Sequence, residues 1–564
     1  MTRFFSGGVM SARKTFIGMK GTTMYYTNKP IEKIVPTLCE NPSRERKNVL
    51  LGVAIHAIEE KTFFANPGER PHMNYDTDST LLTDGVYSPD RNYPNPEWFH
   101  LHSGGGRVIT FKLPYLCAVD SFLMSTCRDD VVGVRTPRYV KVRVSADGES
   151  FETVYEADTR SARDMRVIKI EGEFEPVQAV YVQFVVDAVH HVYIDEIELY
   201  GCTDVTGAKV PIADGKPIFN EFPGPSEVNE FPPEDVMGAH NILLTYNYRP
   251  VDEDLGLRTE ADYFPLVAYL DREGNVKDTF MDGFLFLPDV SFDFSPRGQH
   301  AEGWQDYMDS VFVTGKNLDA LNKTAKKVGT ALGMPDYKVN VFFTILYTFT
   351  GYDDFGTVGG EHLVFDNPES RKKAIRWLVD YMIKRYEAGA YGNTELKGFY
   401  WFEEALNPTD RYEEELIRYT CKYVQEKGYK CFWIPYFRAL GYEHWQRYGF
   451  DIACMQPNYM FEDHIPKSRL YDTAAEAKRM GMCVELEVWK IKEDADGNID
   501  NPGNIEKFID YLEVGAETGY MNTSKMYYHG SRFRGTISNG WKSKNARYRE
   551  MYDKTYLFAK KKLK

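Results

Sequence analysis

The stretch Cys483-Val484-Glu485-Leu486-Glu487-Val488-Trp489 decides the fold. Its alternation has the period of a β-strand, so Val484, Leu486 and Val488 point one way and both glutamates point the other. The apolar set suits a face packed on helices, which turns Glu485 and Glu487 toward an interior. Charges in an interior are costly unless they are paired or functional. Seven further apolar runs of this kind lie outward from it: Ile242–Tyr246, Gly283–Leu287, Val339–Tyr347, Gly398–Phe402, Cys431–Phe437, Asp451–Gln456 and Ser524–Tyr528. Between them fall helical patterns at Trp304–Phe312, Leu318–Leu332, Pro368–Ala388, Arg411–Lys427, Tyr442–Tyr448, Lys467–Met480 and Ile505–Thr518. Ser370–Tyr386 carries apolar residues at helical spacing, at Ala374, Trp377, Leu378 and Met382. Strand–helix alternation repeated about eight times predicts a (β/α)8 TIM-type barrel over 236–564, with a C-terminal helix. A doubly wound open sheet competes, but no glycine-rich phosphate turn opens any of the helices.

Active sites of such barrels form at the C-terminal strand ends. The fourth run ends Tyr400-Trp401-Phe402-Glu403-Glu404, and the seventh carries Glu485 and Glu487. Carboxylates at these two ends face each other across a barrel mouth. Glycoside hydrolysis needs such a pair: a protonated acid at the leaving oxygen, and a carboxylate that attacks carbon or activates water. Glu487, nearer the strand end, is the nucleophile candidate. Glu485, deeper, is a supporting acid or a paired structural charge. Parity does not choose between Glu403 and Glu404, which point oppositely. The plainer reading makes Glu403 or Glu404 the N-terminal charge of the next helix and pairs the strand-seven acids with Arg or Lys.

Other strand ends add amides and aromatic rings. They are Tyr246 and Asn247 at the first, Tyr347 at the third, Trp401 at the fourth, and Trp433 and Tyr436 at the fifth. Gln456, Asn458 and Tyr459 close the sixth, Trp489 the seventh, and Tyr528 and His529 the eighth. Trp304 caps the site from the segment after the second strand, and Asp282 is a further polar liner. Amides and phenols hydrogen-bond hydroxyls, and aromatic faces stack on sugar C–H surfaces. Taken singly, each of these rings is better explained as core.

Ahead of the barrel, residues 47–202 alternate short β runs with turn signals. Tyr139–Ser145 shows strict period-two alternation and leads into the tight turn Asp147-Gly148. Residues 1–46 read as an extension that packs on its neighbour, and the Pro- and Gly-rich 203–235 as a linker. The reading is an all-β sandwich. Leu82-Thr83-Asp84-Gly85, Trp98, the segment VRVSADGESFETV and the closing IDEIELYG resemble the discoidin-like (F5/8 type C) sandwich, which includes many carbohydrate-binding modules. That resemblance implies a structural calcium with Asp84 and Glu198 as oxygen ligands. The residues alone favour an Asx turn at Asp84.

The strings GFYWFEEA, CFWIPYFRALGYEHWQRYGFDIACMQPNYMF and GMCVELEVW resemble a bacterial barrel family known as domain-of-unknown-function family 4855. The likeness spans roughly 236–535. It implies a sugar-active barrel attached to carbohydrate-type modules. The carboxylate placement also resembles retaining glycoside hydrolases with glutamates on strands four and seven. Those show Asn-Glu at strand four. Here Glu404 matches the acid/base, and Glu403 takes the place of the Asn.

Composition fits this reading and narrows it. The 564 residues exceed one ordinary core, which stops growing at about 250–300 residues. A net charge of −15 repels phosphate backbones, so nucleic acid is not an expected partner. No run of about 18 apolar residues predicts a membrane span. The eight cysteines form no C-x-x-C pair, and the twelve histidines offer no strong metal pattern. His100 with His102 is a weak pair, and His190 and His191 point opposite ways. The N-terminus lacks the apolar segment of a secretory leader, so a cytoplasmic protein is expected, or a secreted one if a leader has been removed. The expectation is a glycoside hydrolase on an oligosaccharide or polysaccharide. It works by a two-glutamate retaining mechanism and needs no catalytic cofactor. The alternatives are a non-catalytic glycan-binding protein and another barrel enzyme such as a lyase. A carboxyl separation of about 5–5.5 Å accompanies retention, and about 6.5–9.5 Å inversion.

Overall fold

The computed structural model describes residues 29–564 apart from 63–78, 90–95, 102–104, 129–133, 135, 160–166, 189–191, 221–225, 249–255, 290–291, 293–297, 350–353, 408–409 and 531–535. His102, His190 and His191, and most of the expected N-terminal extension, lie outside the described residues. The chain divides into two compact units, Met1–Pro223 with the short segment Asn407–Arg411, and Gly224–Leu406 with Tyr412–Lys564.

The first unit is all-β. Its strands are β1 (Lys47–Asn48), β2 (Ile55–Thr62), β3 (Phe99–Leu101), β4 (Gly105–Cys127), β5 (Tyr139–Ser145), β6 (Glu152–Asp158), β7 (Val167–Ala188) and β8 (Val192–Cys202). They run in the order β1-β8-β4-β7-β5-β6, with β2 added on β4 and β3 on β8. All pairings are antiparallel. The long partners β4 and β7 shift register between Lys112 and Cys117 and again between Val119 and Ser121. Such irregularities bend a strand, so one pair can serve both layers of a sandwich. Phe122 and Phe184 meet edge to face at 5.7 Å in the core between them. Residues 29–46 add no regular element ahead of β1, but Ile31 and Ile34 pack against Leu116 and Tyr181.

The second unit is a closed barrel of eight parallel strands: β9 (Asn241–Tyr248), β10 (Gly283–Pro288), β11 (Val339–Ile345), β12 (Thr394–Trp401), β13 (Lys430–Trp433), β14 (Ile452–Met455), β15 (Cys483–Glu487) and β16 (Lys525–Tyr528). Strand β16 pairs back on β9 and closes the ring. Among the described residues eight α-helices accompany it: α1 (Glu260–Val267), α2 (Ala301–Val311), α3 (Asn317–Ala331), α4 (Pro368–Ala388), α5 (Glu413–Glu426), α6 (Ser468–Met480), α7 (Pro502–Thr518) and α8 (Ala546–Ala559). They do not alternate one for one with the strands. Two helices, α2 and α3, lie between β10 and β11, whereas β13 reaches β14 through a single 3-10 turn at Tyr442–His444. The helix expected over Tyr442–Tyr448 shortens to that turn.

The interior is aromatic. Phe342 of β11 meets Phe432 of β13 at 5.4 Å, past the intervening β12, and Tyr400 of β12 lies 5.5 Å from the same ring. Tyr400 reaches this face through a bulge: Val341 pairs Leu396, but Phe342 pairs Gly398, leaving Lys397 extra. A Cβ on Gly398 would sit 2.4 Å from the Lys430 carbonyl oxygen, so only glycine lets β12 and β13 approach this closely.

Candidate active site

Five side chains from four strand ends converge at the C-terminal mouth: Tyr246, Glu404, Glu485, Glu487 and Tyr528. Tyr246 of β9 is buried and feels the charges of both Glu404 and Glu485, and its ring meets Tyr528 of β16 edge to face at 5.8 Å. Glu485 and Glu487 are 2 % and 0 % exposed, as the alternation of β15 requires. Each leaves one oxygen, Oε1, without a hydrogen-bond partner. Among the described residues no ion pair joins Glu404, Glu485 or Glu487 to a lysine, arginine or histidine. The Arg or Lys partners expected for Glu485 and Glu487 under the plainer reading are therefore not found among the described residues.

Burial is the main force on each of them, because it penalises the charged form. It lifts the Glu404 carboxyl to about 7, against one donor, the Gln456 amide. Glu404 keeps part of its surface open to solvent, but its carboxyl group is enclosed by protein. Glu487 is lifted to about 8 by burial, opposed by the Tyr511 hydroxyl and the Asn458 amide, with Glu404 pushing up and Arg469 pulling down. Glu485 is driven well up by burial, then by Glu487, then by Glu404. The three titrate as a group whose members cannot all be charged together.

The second tier holds these acids in place. The Gln456 amide also donates to the Ile434 carbonyl at 2.8 Å. Asn458 adopts a left-handed φ of 55°, which aims its backbone N–H at Glu487. The Trp433 indole donates to the Glu403 carbonyl at 2.6 Å and so fixes the turn that presents Glu404. On the open side, Trp489 and Tyr528 stack at 6.1 Å, and Phe461 meets their edges at 5.3 and 5.7 Å. These three half-buried rings form an aromatic wall beside Tyr246.

Several expected site residues lie elsewhere. Trp304 is fully buried, its indole donating to the Gly298 carbonyl and its ring set against Phe355 at 4.9 Å, so it is core rather than a cap. Tyr347 and Trp401 pack on each other at 6.0 Å, and the Tyr347 hydroxyl donates to Glu413 on α5. Asn247 faces the helices, where its amide donates to Ser310. Tyr459 turns its hydroxyl to Asp510 of α7. Tyr436 is half-buried and bridges to Gln456 through the backbone. His529 points away from the mouth into a small void with Thr245 and Tyr263. Burial and the Arg258 charge lower it to about 3, so it is neutral. Asp282 precedes β10 at the opposite end of the barrel and accepts from the His240 and Asn241 amides. Sequence reasoning missed Tyr400, Phe461, Arg469 and Tyr511. For the last, no periodic signal separates a helix tyrosine that reaches a carboxylate from one that fills a core.

In the sandwich, Asp84 makes the Asx turn, accepting from the Val86 amide at 2.9 Å. Glu198, the expected second calcium ligand, instead accepts from the hydroxyls of Tyr87 and Tyr200. The carboxylate that meets this turn is Glu196, which accepts from the Gly85 amide at 3.1 Å. Burial first, with Asp84, Glu198 and Asp195 adding repulsion, lifts it to about 8. Among the described residues no three His, Cys, Asp or Glu side chains gather as a metal cradle.

The chain belongs to the family described as Domain of unknown function (DUF4855), whose model matches residues 241–557. No curated protein matches the sequence. Solved structures with partial likeness include CpGH89CBM32-6 of Clostridium perfringens, 14% identical over 28% of this chain and 99% of that one, with a TM-score of 0.18. CpGH89CBM32-5 of the same organism, solved with GalNAc-β-1,3-galactose, is 16% identical over 25% and 94%, with a TM-score of 0.17. Chitosan-binding module 1 of a chitosanase/glucanase from Paenibacillus sp. IK-5 is 17% identical over 28% and 100%, with a TM-score of 0.19. Scores this low leave the sandwich assignment to rest on its own strands. Among the described residues no helix is long and apolar enough to cross a membrane.

Proposed function

We propose that the barrel is a TIM-type glycoside hydrolase whose Glu404 is the acid/base and Glu487 the nucleophile. The observation that carries this is the trio of buried, unsalted glutamates at the mouth, one of them poised near 7. A carboxyl with that affinity holds its proton at neutral pH yet can release it, as a general acid must. Burial lifts Glu487 higher than Glu404 while Glu404 is charged, but Glu487 has two donors and a nearby arginine, and the proton that Glu404 holds as the general acid removes the like charge that pushes Glu487 up. In the first step an oxygen of Glu487 bonds the anomeric carbon. The glycosidic C–O bond breaks, and its electron pair stays on the leaving oxygen, which takes the Glu404 proton. Water then attacks the anomeric carbon while Glu404 accepts its proton, and Glu487 departs as carboxylate. The aromatic wall of Trp489, Tyr528 and Phe461 supplies faces for sugar C–H surfaces.

The test is a screen on aryl glycosides and oligosaccharides beside Glu404→Gln and Glu487→Gln. Each variant is expected to lose roughly 10²–10⁴-fold in kcat/KM. Full activity in both removes the assigned roles.

A further inference from the structure

Tyr511 comes from α7, a helix, yet its hydroxyl donates to Oε2 of Glu487 on β15. The wall allows this because β14 and β15 share only two residue pairs, Cys454↔Cys483 and Met455↔Val484. Past Val484 no ladder joins these strands, and there the phenol reaches the carboxylate. Tyr511 is fully buried and set against Tyr459 at 5.8 Å, and its own carbonyl accepts from the Tyr520 hydroxyl, so neither ring nor backbone is free to move. The other oxygen of Glu487, Oε1, has no partner.

We propose that Tyr511 is a positioning residue that locks Oε2 of Glu487 and thereby assigns Oε1 as the attacking oxygen. This rests on the glycosidase reading for its chemistry, but the lock itself does not. The hydroxyl stabilises the carboxylate before attack. It does so again when Glu487 leaves in the second step, with the electron pair of the breaking Oε1–carbon bond returning to the carboxylate. The groups that face Glu487 are Glu485 on its own strand, Glu404 after β12, the Asn458 amide after β14, Arg469 on α6 and Tyr511 on α7. Tyr511 is the neutral side-chain donor among them. Removing it takes away an interaction with the charged form, so Glu487 must titrate at higher pH.

The experiment follows the Glu487 carboxyl by ¹³C NMR in the full chain carrying Tyr511→Phe. The titration is expected to move upward. Tyr459→Phe, an equal deletion beside it whose hydroxyl serves Asp510, should leave the titration in place. In activity, Tyr511→Phe should lower kcat about 10–100-fold. The acid limb of the pH profile should rise with the titration, and KM should change little. An unmoved Glu487 titration, or an equal shift in both variants, overturns the proposal whatever the protein hydrolyses. A moved titration in a protein inert toward every glycoside keeps the lock and takes down the glycosidase reading alone.

Discussion

Glu485 shows how far a single residue can be read. Its inward direction is legible from alternation alone, because Val484 and Leu486 must meet the helices. Its chemical state is not legible, since that depends on Glu404, which arrives from about 80 residues away in sequence. The state has a stability consequence. An ordinary glutamate ionises near 4.5, and burial holds Glu485 well above this in the folded protein. A carboxyl raised on folding contributes stability that is full below the unfolded value and lost as pH rises through the folded one. Glu485→Gln cannot ionise and escapes that loss. Thermal melts should show the variant level with the parent near pH 4 and above it in alkaline buffer, the gap widening as pH rises. Parallel curves across this range would mean that Glu485 finds a partner when charged. The aromatic residues teach the opposite lesson. Trp304, Trp401 and Trp433 sit beside strand ends in the sequence, but outward parity or helix packing carries them into the core.

At the scale of elements, all eight barrel strands are legible because each is a short apolar run bounded by polar residues. Helix α4 also falls where its periodicity predicts, from Pro368 to Ala388. The failures have physical causes. Helix α1 is eight residues long with Pro265 inside it, so it carries little periodic signal and is held by packing instead. The Tyr442–Tyr448 segment is apolar at helical spacing, but Gly441 at φ 84° leads it into a tight 3-10 turn that allows no longer helix. Two hairpin turns repeat one device: Asp271 accepts from Asn275, and Asp494 accepts from Asn498, each through both the backbone and the side-chain amide. These acidic loops are self-satisfied turns. Strand β14 is the thinly bound member of the barrel, with two residue pairs to β13 and two to β15. Local opening follows local ladder density. Amide exchange at Ile452–Met455 should therefore run at least about tenfold faster than at Phe342–Thr344. Equal protection would show that side-chain packing, not the ladder, sets the barrel's opening.

Across the whole molecule, the segments that join the barrel strands to the helices are the ones the strand pattern says least about. Loops answer to partners rather than to periodicity, so a sequence that spells out the barrel leaves its specificity unwritten. A cavity of about 490 Å³, lined by Phe264, Lys327 and Trp541 among others, lies on the helical flank away from the carboxylates. The flank and the mouth therefore compete for any small molecule. The two unpartnered oxygens on β15 decide between them in calorimetric terms. A native fold that holds acids short of donors is a fold that a polyhydroxy compound can relieve, and whatever binds only the native state raises its melting temperature. A sugar library scanned by melting temperature should then yield upshifts that vanish in Glu487→Gln and persist when Trp541 is changed. At saturation about a hundredfold above Kd, the gain is about 2.7 kcal/mol, or several degrees. The unsatisfied interior thus makes the protein its own thermometer for an unknown substrate, readable before any bond is cleaved.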